Sequence, residues 1–474
     1  MEPRKSGLAA LNWPRVFDLQ STQVASHSAM NKRSPSNSRT GQELYVEAKR
    51  RLPGGTQLVS KRPEQYLPEN WPAYYRRAKG CTVWDLDDRS YEDFTSNGIG
   101  TCLLGYADDV VNAAVADCIV RGSMCTLNAP EEVYLADRLC AIHPWAEQVR
   151  YTRTGGEAMS VAVRLARAAT ARSTVAFCGY HGWSDWYLAA NLAESDALNG
   201  HLLPGLEPGG VPAVLRGTAL PFRYNQIAEL ESIVVKHRPD LAAIVMEPMR
   251  WDFPTEDFLH RVRALADETG AVLVFDEITA GWRSYFGGIH LKLGVNPDVA
   301  VFAKAISNGF PMAAIIGRSA VMGQAQQTFV SSTYWTERIG PVAALATIAR
   351  MENVKAVDHI RRSGELVRAG WTAAAAKHGV PIKLMGQPAL CIFAFDCGEA
   401  SRSVMTLFTQ EMLARGFLAN GGFYPTYAHH PAVIDRYLGA VDEIFAFIRG
   451  CLDRGSVLTA LRGPVAQSGF ARLT

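Results

Sequence analysis

The sequence predicts an α/β fold with one large, mostly parallel sheet and a smaller α+β domain. Between about residues 110 and 320, short apolar runs of strand character alternate with segments whose apolar residues recur at helical spacing. This alternation is typical of a parallel sheet that helices cover on both faces. After about residue 345 the order changes to helices with short strands, which indicates the smaller domain.

The N-terminal part of the chain divides into a leader, a helix and a hairpin. Residues 1–40 are polar and lack a regular period, so we expect a disordered or loosely attached leader. A helix is predicted over residues 41–51, because Pro53-Gly54-Gly55 follows it as a stop. Residues 80–95 alternate in polarity around Asp87-Asp88, which predicts a hairpin that turns there.

The central part of the chain supplies the large sheet. One strand runs into Gly155-Gly156 and directly into a segment of helical spacing, and a later helical segment ends at Gly270, a common helix stop. The strand-like runs are VRYTRT, STVAFC, LAAIVMEP, AVLVFDE, VAVFAK and MAAIIG. The expected boundaries are 111–344 for the large domain, 41–110 and 345–460 for the smaller domain, and 461–474 for a tail.

Composition narrows the functional class. The 474 residues are 48 % hydrophobic and 20 % charged, with a net charge of +2, which gives no sign of a nucleic-acid or anionic-membrane surface. No apolar run approaches the ~20 residues of a membrane span. The nine cysteines form no C-x-x-C pair, which argues against a zinc ribbon or a disulfide framework. We therefore expect a cytoplasmic protein, although a transit peptide within residues 1–40 stays open.

Two charged residues follow apolar strands in the central series. Asp276 ends VLVFD, and Lys304 follows VAVFA. Ligands of open α/β sheets bind at the carboxyl ends of the strands. A buried carboxylate needs a cationic partner, and a desolvated lysine amine suits nucleophilic catalysis. Taken alone, each residue has an ordinary explanation. Asp276 could form a common ion pair in the core, and Lys304 could be a surface lysine just past the end of its strand. Together they predict a site for one aromatic cofactor.

Two loop motifs add weaker signals. The T-G-G at 154–156 joins a strand to a helix, and N–H groups at a helix N-terminus bind anions, although a tight turn explains it equally well. Tyr180, His181, Trp183 and Trp186 crowd the end of STVAFC, where an aromatic ring can stack on a flat cofactor. For the two tryptophans, core packing or a subunit contact is the stronger alternative.

The ordered set of these motifs resembles the class III aminotransferases, and most closely their glutamate-1-semialdehyde aminomutase branch. The resemblance extends over roughly residues 44–450. The matching segments are T-G-G-E-A at 154–158, G-Y-H-G-W at 179–183, E-P at 247–248, F-D-E-I-T-A-G-W-R at 275–283, P-D-V-A-V-F-A-K at 297–304 and T-E-R-I-G-P at 336–341. The resemblance implies the pyridoxal-5′-phosphate (PLP) fold of type I, which is aspartate aminotransferase-like, with a mostly parallel sheet of the seven-stranded type.

The resemblance also implies roles for individual residues. Lys304 holds PLP as a Schiff base and moves the proton, and Asp276 keeps the pyridine nitrogen protonated. The backbone N–H groups of Gly155 and Gly156 bind the phosphate.

Four further residues complete the implied cofactor site. Tyr180 stacks on one face of the ring, Ile278 packs on the other, and His181 belongs to the same cofactor-binding set. Thr336 reaches the phosphate of the neighbouring subunit, so the implied functional unit is a homodimer with shared active sites.

The substrate side departs from the aminomutase pattern. Lys61 stands where that branch has an arginine for the substrate carboxylate, a C-terminal acid is missing, and Arg250-Trp251-Asp252 follows E-P. We therefore expect transfer from an amino-acid donor to a keto or aldehyde acceptor, and the aromatic residues favour a hydroxylated or cyclic, sugar- or antibiotic-type ketone. An aminomutase is the main alternative. A racemase or decarboxylase on the same scaffold and a non-catalytic binding protein stay open.

Overall fold

The computed structural model describes residues 40–201, 205–249, 251–255 and 257–467, so the predicted leader lies outside the described residues, apart from Thr40. The described helices are α1 (Gly41–Arg51), α2 (Asp109–Arg121), α3 (Pro130–Ile142), α4 (Gly155–Thr170), α5 (Asp185–Leu188), α6 (Ile227–His237), α7 (Phe258–Thr269), α8 (Ile289–Leu293), α9 (Ser319–Met322), α10 (Ile339–Asn353), α11 (Ala356–His378), α12 (Ser401–Ala414), α13 (Pro431–Asp453) and α14 (Val457–Ala460).

The strands come in three groups along the chain. The described strands are β1 (Tyr75–Lys79), β2 (Thr82–Asp85), β3 (Ser90–Phe94), β4 (Gln148–Thr152), β5 (Thr174–Cys178), β6 (Ala219–Pro221), β7 (Leu241–Met246), β8 (Val272–Asp276), β9 (Val299–Phe302), β10 (Ala313–Gly317), β11 (Ile382–Gln387), β12 (Leu390–Phe395), β13 (Phe417–Ala419) and β14 (Gly422–Phe423). The predicted hairpin is β2 and β3, which pair antiparallel.

Helix α1 follows the sequence prediction because both of its ends carry local signals. Thr40 accepts a hydrogen bond from the Glu43 N–H at 3.3 Å, and Glu43 accepts one from the Thr40 N–H at 2.9 Å. This reciprocal pair satisfies two donors at the start of the helix. At the other end Gly54 and Gly55 adopt positive φ, which stops the helix.

The large sheet has seven strands in the order β4-β10-β9-β8-β7-β5-β6. β10 pairs antiparallel with both β4 and β9, and the other neighbouring pairs are parallel. The predicted mostly parallel sheet is therefore confirmed. β8 and β9 are neighbours, with Asp276 opposite Val301, so their carboxyl ends meet at one edge.

Both faces of this sheet are covered. Along β5, Val175 and Phe177 join one apolar cluster while Ala176 and Cys178 join another, because successive side chains point to opposite faces. Helix α4 packs on the first face and helices α6 and α7 on the second. None of the helices in the described ranges combines the length and the apolar character that a bilayer crossing requires.

Two smaller sheets join distant parts of the chain. One has the order β1-β2-β3-β13, in which Glu92 of β3 pairs with Phe417 of β13 in parallel, and the other has the order β11-β12-β14. The segment before residue 100 and the segment after residue 400 thus share one sheet. The predicted domain boundaries stay a prediction.

Candidate active site

Asp276 ends the buried strand β8 and is only 3 % exposed. Its Oδ1 accepts a hydrogen bond from the Ile278 N–H at 3.0 Å, and its Oδ2 lies 2.8 Å from His181 Nδ1. An acidic side chain buried after four apolar residues needs such partners. Both carboxylate oxygens are therefore fixed at the carboxyl edge of the sheet.

His181 lies between two acceptors. Its Nε2 is 3.0 Å from the Cys178 carbonyl oxygen, and its Nδ1 faces Asp276. Because a carbonyl accepts only, Nε2 is the donor of its contact. His181 therefore lies between a backbone carbonyl and the Asp276 carboxyl group, and it fixes the orientation of that group. Trp186 stacks on the imidazole, with ring centroids 6.1 Å apart and an interplanar angle of 20°.

Lys304 starts a short 3₁₀ helix, Lys304–Ser307, immediately after β9. Its φ is +51°, a left-handed conformation that a residue with a Cβ adopts at a cost and that clusters at functional sites. The Nζ donates a hydrogen bond to Thr279 Oγ1 at 2.8 Å. Since β8 and β9 are neighbours, Lys304 and Asp276 lie at the same edge, as the sequence predicts.

The N-terminus of α4 adds a group of backbone donors. Thr154 caps the helix and Glu157 completes a capping box, while Gly155 and Gly156 occupy the first two helical positions. Among the described residues, their N–H groups donate to no protein acceptor. A Cβ on Gly155 would lie 2.8 Å from Ile278 Cδ1, so the start of the helix packs closely on this side chain. Free N–H groups and the helix dipole make the position suited to an anion.

The loop 180–183 packs against this helix start. Gly182 adopts a φ of +104°, and a Cβ there would lie 3.3 Å from Gly156 Cα. Trp183 lies beside Gly156 and is 71 % exposed. Tyr180 packs on the central apolar cluster and meets Tyr187 edge-to-face at 5.9 Å. The structure therefore brings the loop motif and the T-G-G motif together.

Thr336 lies apart from the other predicted site residues. It is exposed at the end of a 3₁₀ helix, and its hydroxyl contacts Thr333 O at 3.1 Å and Met124 Sδ at 3.9 Å. Among the described residues, its hydroxyl forms no hydrogen bond with the other seven predicted cofactor-site residues. Two ion pairs hold the residues that follow Thr336: Arg153 with Glu337 at 3.0 Å, and Arg338 with Glu131 at 2.7 Å.

Two other residues with ring side chains, Trp71 and His429, belong to the core. Trp71 stacks on Tyr66 at 4.6 Å within an apolar cluster. His429 is fully buried, where it accepts from the Thr426 N–H and donates to the Asp93 carbonyl oxygen. Both rings are therefore part of the interior.

Two residues near Lys304 escaped the sequence reasoning, Thr279 and Arg283. Arg283 is fully buried and donates to the carbonyl oxygens of Pro425 at 2.7 Å and Gly100 at 3.1 Å. Burial lowers the pKa of this guanidinium to about 10. A Cβ on Gly100 would lie 3.9 Å from Lys304 Cδ, so Arg283 fixes backbone beside the lysine. Thr279 and Arg283 follow Asp276 within the same sequence motif, and this proximity was the signal that could have identified them.

The geometry is that of a known family, and a model of the aminotransferase class-III family matches residues 66–434. The chain belongs to the class III aminotransferases. It is 31 % identical to the 3-aminobutyryl-CoA aminotransferase of Cloacimonas acidaminovorans, over 75 % of this chain and 84 % of the relative. It is also 31 % identical to the 2′-deamino-2′-hydroxyneamine transaminase of Streptomyces kanamyceticus, over 79 % and 92 %.

Solved structures agree with this membership. The FumI protein of Sphingopyxis sp. MTA144, in its PLP form, superposes with a TM-score of 0.77 at 26 % identity, over 87 % of this aminotransferase and 97 % of that chain. An omega-transaminase from Sphaerobacter thermophilus superposes with a TM-score of 0.77 at 25 % identity, over 88 % of this chain and 99 % of that chain. The type I fold and the PLP cofactor predicted from the sequence are therefore confirmed.

The residues present fit PLP. The Lys304 amine suits its aldehyde, the Asp276 carboxylate its ring nitrogen, and the N–H groups of Gly155 and Gly156 its phosphate. When bound, PLP supplies an electron sink for the bonds at the substrate carbon that carries nitrogen.

Proposed function

We propose that this aminotransferase moves an amino group from an amino-acid donor to a keto or aldehyde acceptor, with Lys304 and Asp276 as its catalytic residues. The observation that carries the proposal is the placement of an amine and a buried carboxylate at the ends of neighbouring parallel strands. An amine nucleophile and a paired carboxylate at one sheet edge are the groups that amino transfer requires.

Each side chain then has a defined task. Lys304 holds the cofactor and carries the proton that leaves and returns at the substrate carbon. Asp276 keeps a proton on the ring nitrogen, and the buried His181 orients that carboxylate. The N–H groups of Gly155 and Gly156 bind the phosphate. Tyr180 and Ile278 confine the ring between them.

The proposed acceptor is a hydroxylated or cyclic ketone. Support comes from relatives named for such compounds: the neamine transaminase above, and the aminopentol aminotransferase of Sphingopyxis macrogoltabida, which is 29 % identical over 73 % of this chain and 79 % of the relative. Lys61 ends an exposed 3₁₀ helix, and a lysine lacks the planar fork that grips a carboxylate with two hydrogen bonds. A substrate that needs no such grip fits this difference.

An internal amino migration is the second candidate, because aminomutases are also among the relatives. The glutamate-1-semialdehyde 2,1-aminomutase of Gemmatimonas aurantiaca is 32 % identical over 85 % of this chain and 95 % of its own. The two reactions differ in their products, since only transfer to a second substrate converts the donor into a free keto acid.

Product analysis distinguishes them. The enzyme is incubated with glutamate, alanine or glutamine as donor and with a panel of hydroxylated ketones, and both the keto acid and the aminated product are quantified. We expect stoichiometric amounts of both, and none with the control variant Lys304→Ala. Rapid conversion of glutamate-1-semialdehyde to 5-aminolevulinate without a keto acid would instead establish the aminomutase.

We also propose a homodimer located in a reducing, cytoplasmic compartment. Leu127, Phe329 and Tyr334 are exposed on the segments around Thr336, which the hydrogen bond from the Arg338 N–H to the Ser123 carbonyl oxygen ties together. Exposed apolar groups of this kind are typical of subunit interfaces.

All nine cysteines are free thiols, which supports a reducing compartment.

A further inference from the structure

The hydrogen bond between Lys304 and Thr279 has no part in the roles assigned so far. Lys304 Nζ lies 2.8 Å from Thr279 Oγ1, a distance typical of a good hydrogen bond. Thr279 is half-buried, so its hydroxyl is partly shielded from water that would compete for the amine. The contact joins the two strand ends that form the site.

The backbone on both sides holds this contact in place. On the lysine side, Lys304 has a φ of +51°, and at this residue the backbone that leaves β9 enters a 3₁₀ helix. On the threonine side, the Ile278 N–H binds Asp276 Oδ1 at 3.0 Å and fixes the turn that follows β8. One turn therefore presents both the carboxylate and the hydroxyl.

A hydroxyl can do two things for an amine. It accepts a hydrogen bond from an amine N–H, and it can donate its own proton to the lone pair of a neutral amine. A lysine side chain also loses rotamer entropy when it is held in one position. A hydrogen-bond acceptor in a fixed position offsets this loss of entropy, because the amine is already held in place before the reaction begins.

We propose that Thr279 is a positioning residue that holds the Lys304 amine ready for attack and for proton transfer. The inference rests on the proposed function, because it needs Lys304 as the reacting lysine. It predicts that the hydroxyl acts on steps in which the amine moves, and has little effect on binding of the donor. Donor affinity depends on other parts of the site.

Substitutions at 279 separate the hydroxyl from the bulk of the side chain. Thr279→Val keeps the shape and removes the hydroxyl, and Thr279→Ser keeps the hydroxyl. Thr372→Val is a matched control on the exposed face of α11, where the hydroxyl donates to the Arg368 carbonyl oxygen of the same helix. Thermal unfolding of each variant checks that the fold is intact.

The first readout uses apoenzyme. The rate at which it captures added PLP is followed by the yellow absorbance in a stopped-flow instrument, and borohydride followed by peptide mapping identifies the lysine. The second readout separates kcat from KM for the donor. We expect Thr279→Val to lower the capture rate and kcat by about 10-fold, with KM within about 2-fold. Thr279→Ser should stay within about 3-fold of wild type, and Thr372→Val should match it.

The two possible failures can be told apart. If the wild-type label lies on a lysine other than Lys304, the proposed function itself is wrong. If the label is on Lys304 but Thr279→Val captures PLP and turns over like wild type, the positioning role of Thr279 is wrong. Equal losses in Thr279→Ser and Thr279→Val would also overturn it, because the hydroxyl would then not be the active feature.

Discussion

Replacing Asp276 with asparagine tests the centre of the proposed mechanism. The present side chain makes two contacts, one from the Ile278 N–H at 3.0 Å and one with His181 Nδ1 at 2.8 Å. Asparagine can keep both. Its oxygen accepts from the Ile278 N–H, and its NH₂ donates to Nδ1 of the His181 tautomer that carries its proton on Nε2 and binds the Cys178 carbonyl oxygen. The free energy of unfolding should therefore change by no more than about 1 kcal/mol.

The same change removes the negative charge that, in the proposed mechanism, would hold a proton on the ring nitrogen. A hydrogen bond to a charged group contributes about 1.5–3 kcal/mol, and about 1.4 kcal/mol corresponds to a tenfold change in rate. Because a neutral amide also fails to hold the proton itself, we expect Asp276→Asn to slow the half-reaction by at least about 100-fold. Asp276→Glu, which keeps the charge, should lose less.

The assay is a single-turnover reaction of PLP-loaded enzyme with the amino donor, followed by the absorbance of the bound cofactor. Thermal unfolding is recorded alongside it. If Asp276→Asn folds, binds PLP and reacts at nearly the wild-type rate, then Asp276 has only a structural role, which is the alternative that the sequence leaves open.

Two other expectations concern assembly and acid stability. If Thr336 serves the neighbouring site, mixing Lys304→Ala with Thr336→Ala chains should restore about a quarter of the wild-type activity at limiting PLP, since each mixed dimer holds one native site; a fully active monomer would contradict this. Burial lowers the pKa of His429 from 6.5 to about 4, so the unfolded chain binds the extra proton first and stability falls as the pH drops through that window. Calorimetry gives the free energy of unfolding between pH 7 and pH 4. Over this range the His429→Gln variant should lose less stability than wild type, by on the order of 3 kcal/mol. If the variant loses as much stability as wild type, His429 is not the group responsible.

The sequence predicts the fold and the central pair well because those signals are local. Unbroken apolar strands followed by Asp276 and Lys304 place two chemical groups at strand ends, and parallel strands bring such ends to one edge. Helix α1 is also predicted correctly, since its stop signal lies within a few residues. The antiparallel direction of β10 has no comparable local signal.

The rest of the site depends on contacts between distant segments. Nothing near Trp71 or His429 in the sequence shows that one stacks on Tyr66 and the other binds the Asp93 carbonyl oxygen. The contact of Thr279 with Lys304 likewise exists only once β8 and β9 are paired. Residue type and spacing therefore identify the groups that we propose as catalytic, but not the side chains that contact them.

The parallel pairing of β3 with β13 has a consequence for biosynthesis. Glu92 of β3 pairs with Phe417 of β13. During synthesis, β3 therefore stays unpaired on that side until β13 leaves the ribosome, after most of the polypeptide has been made. Closing so large a loop is slow, and an unpaired strand edge exposed during that wait invites association with other chains. Folding of the nascent enzyme should accordingly depend on chaperones, and removal of the last 60 residues, which takes β13 away, should leave an insoluble product with β3 still exposed.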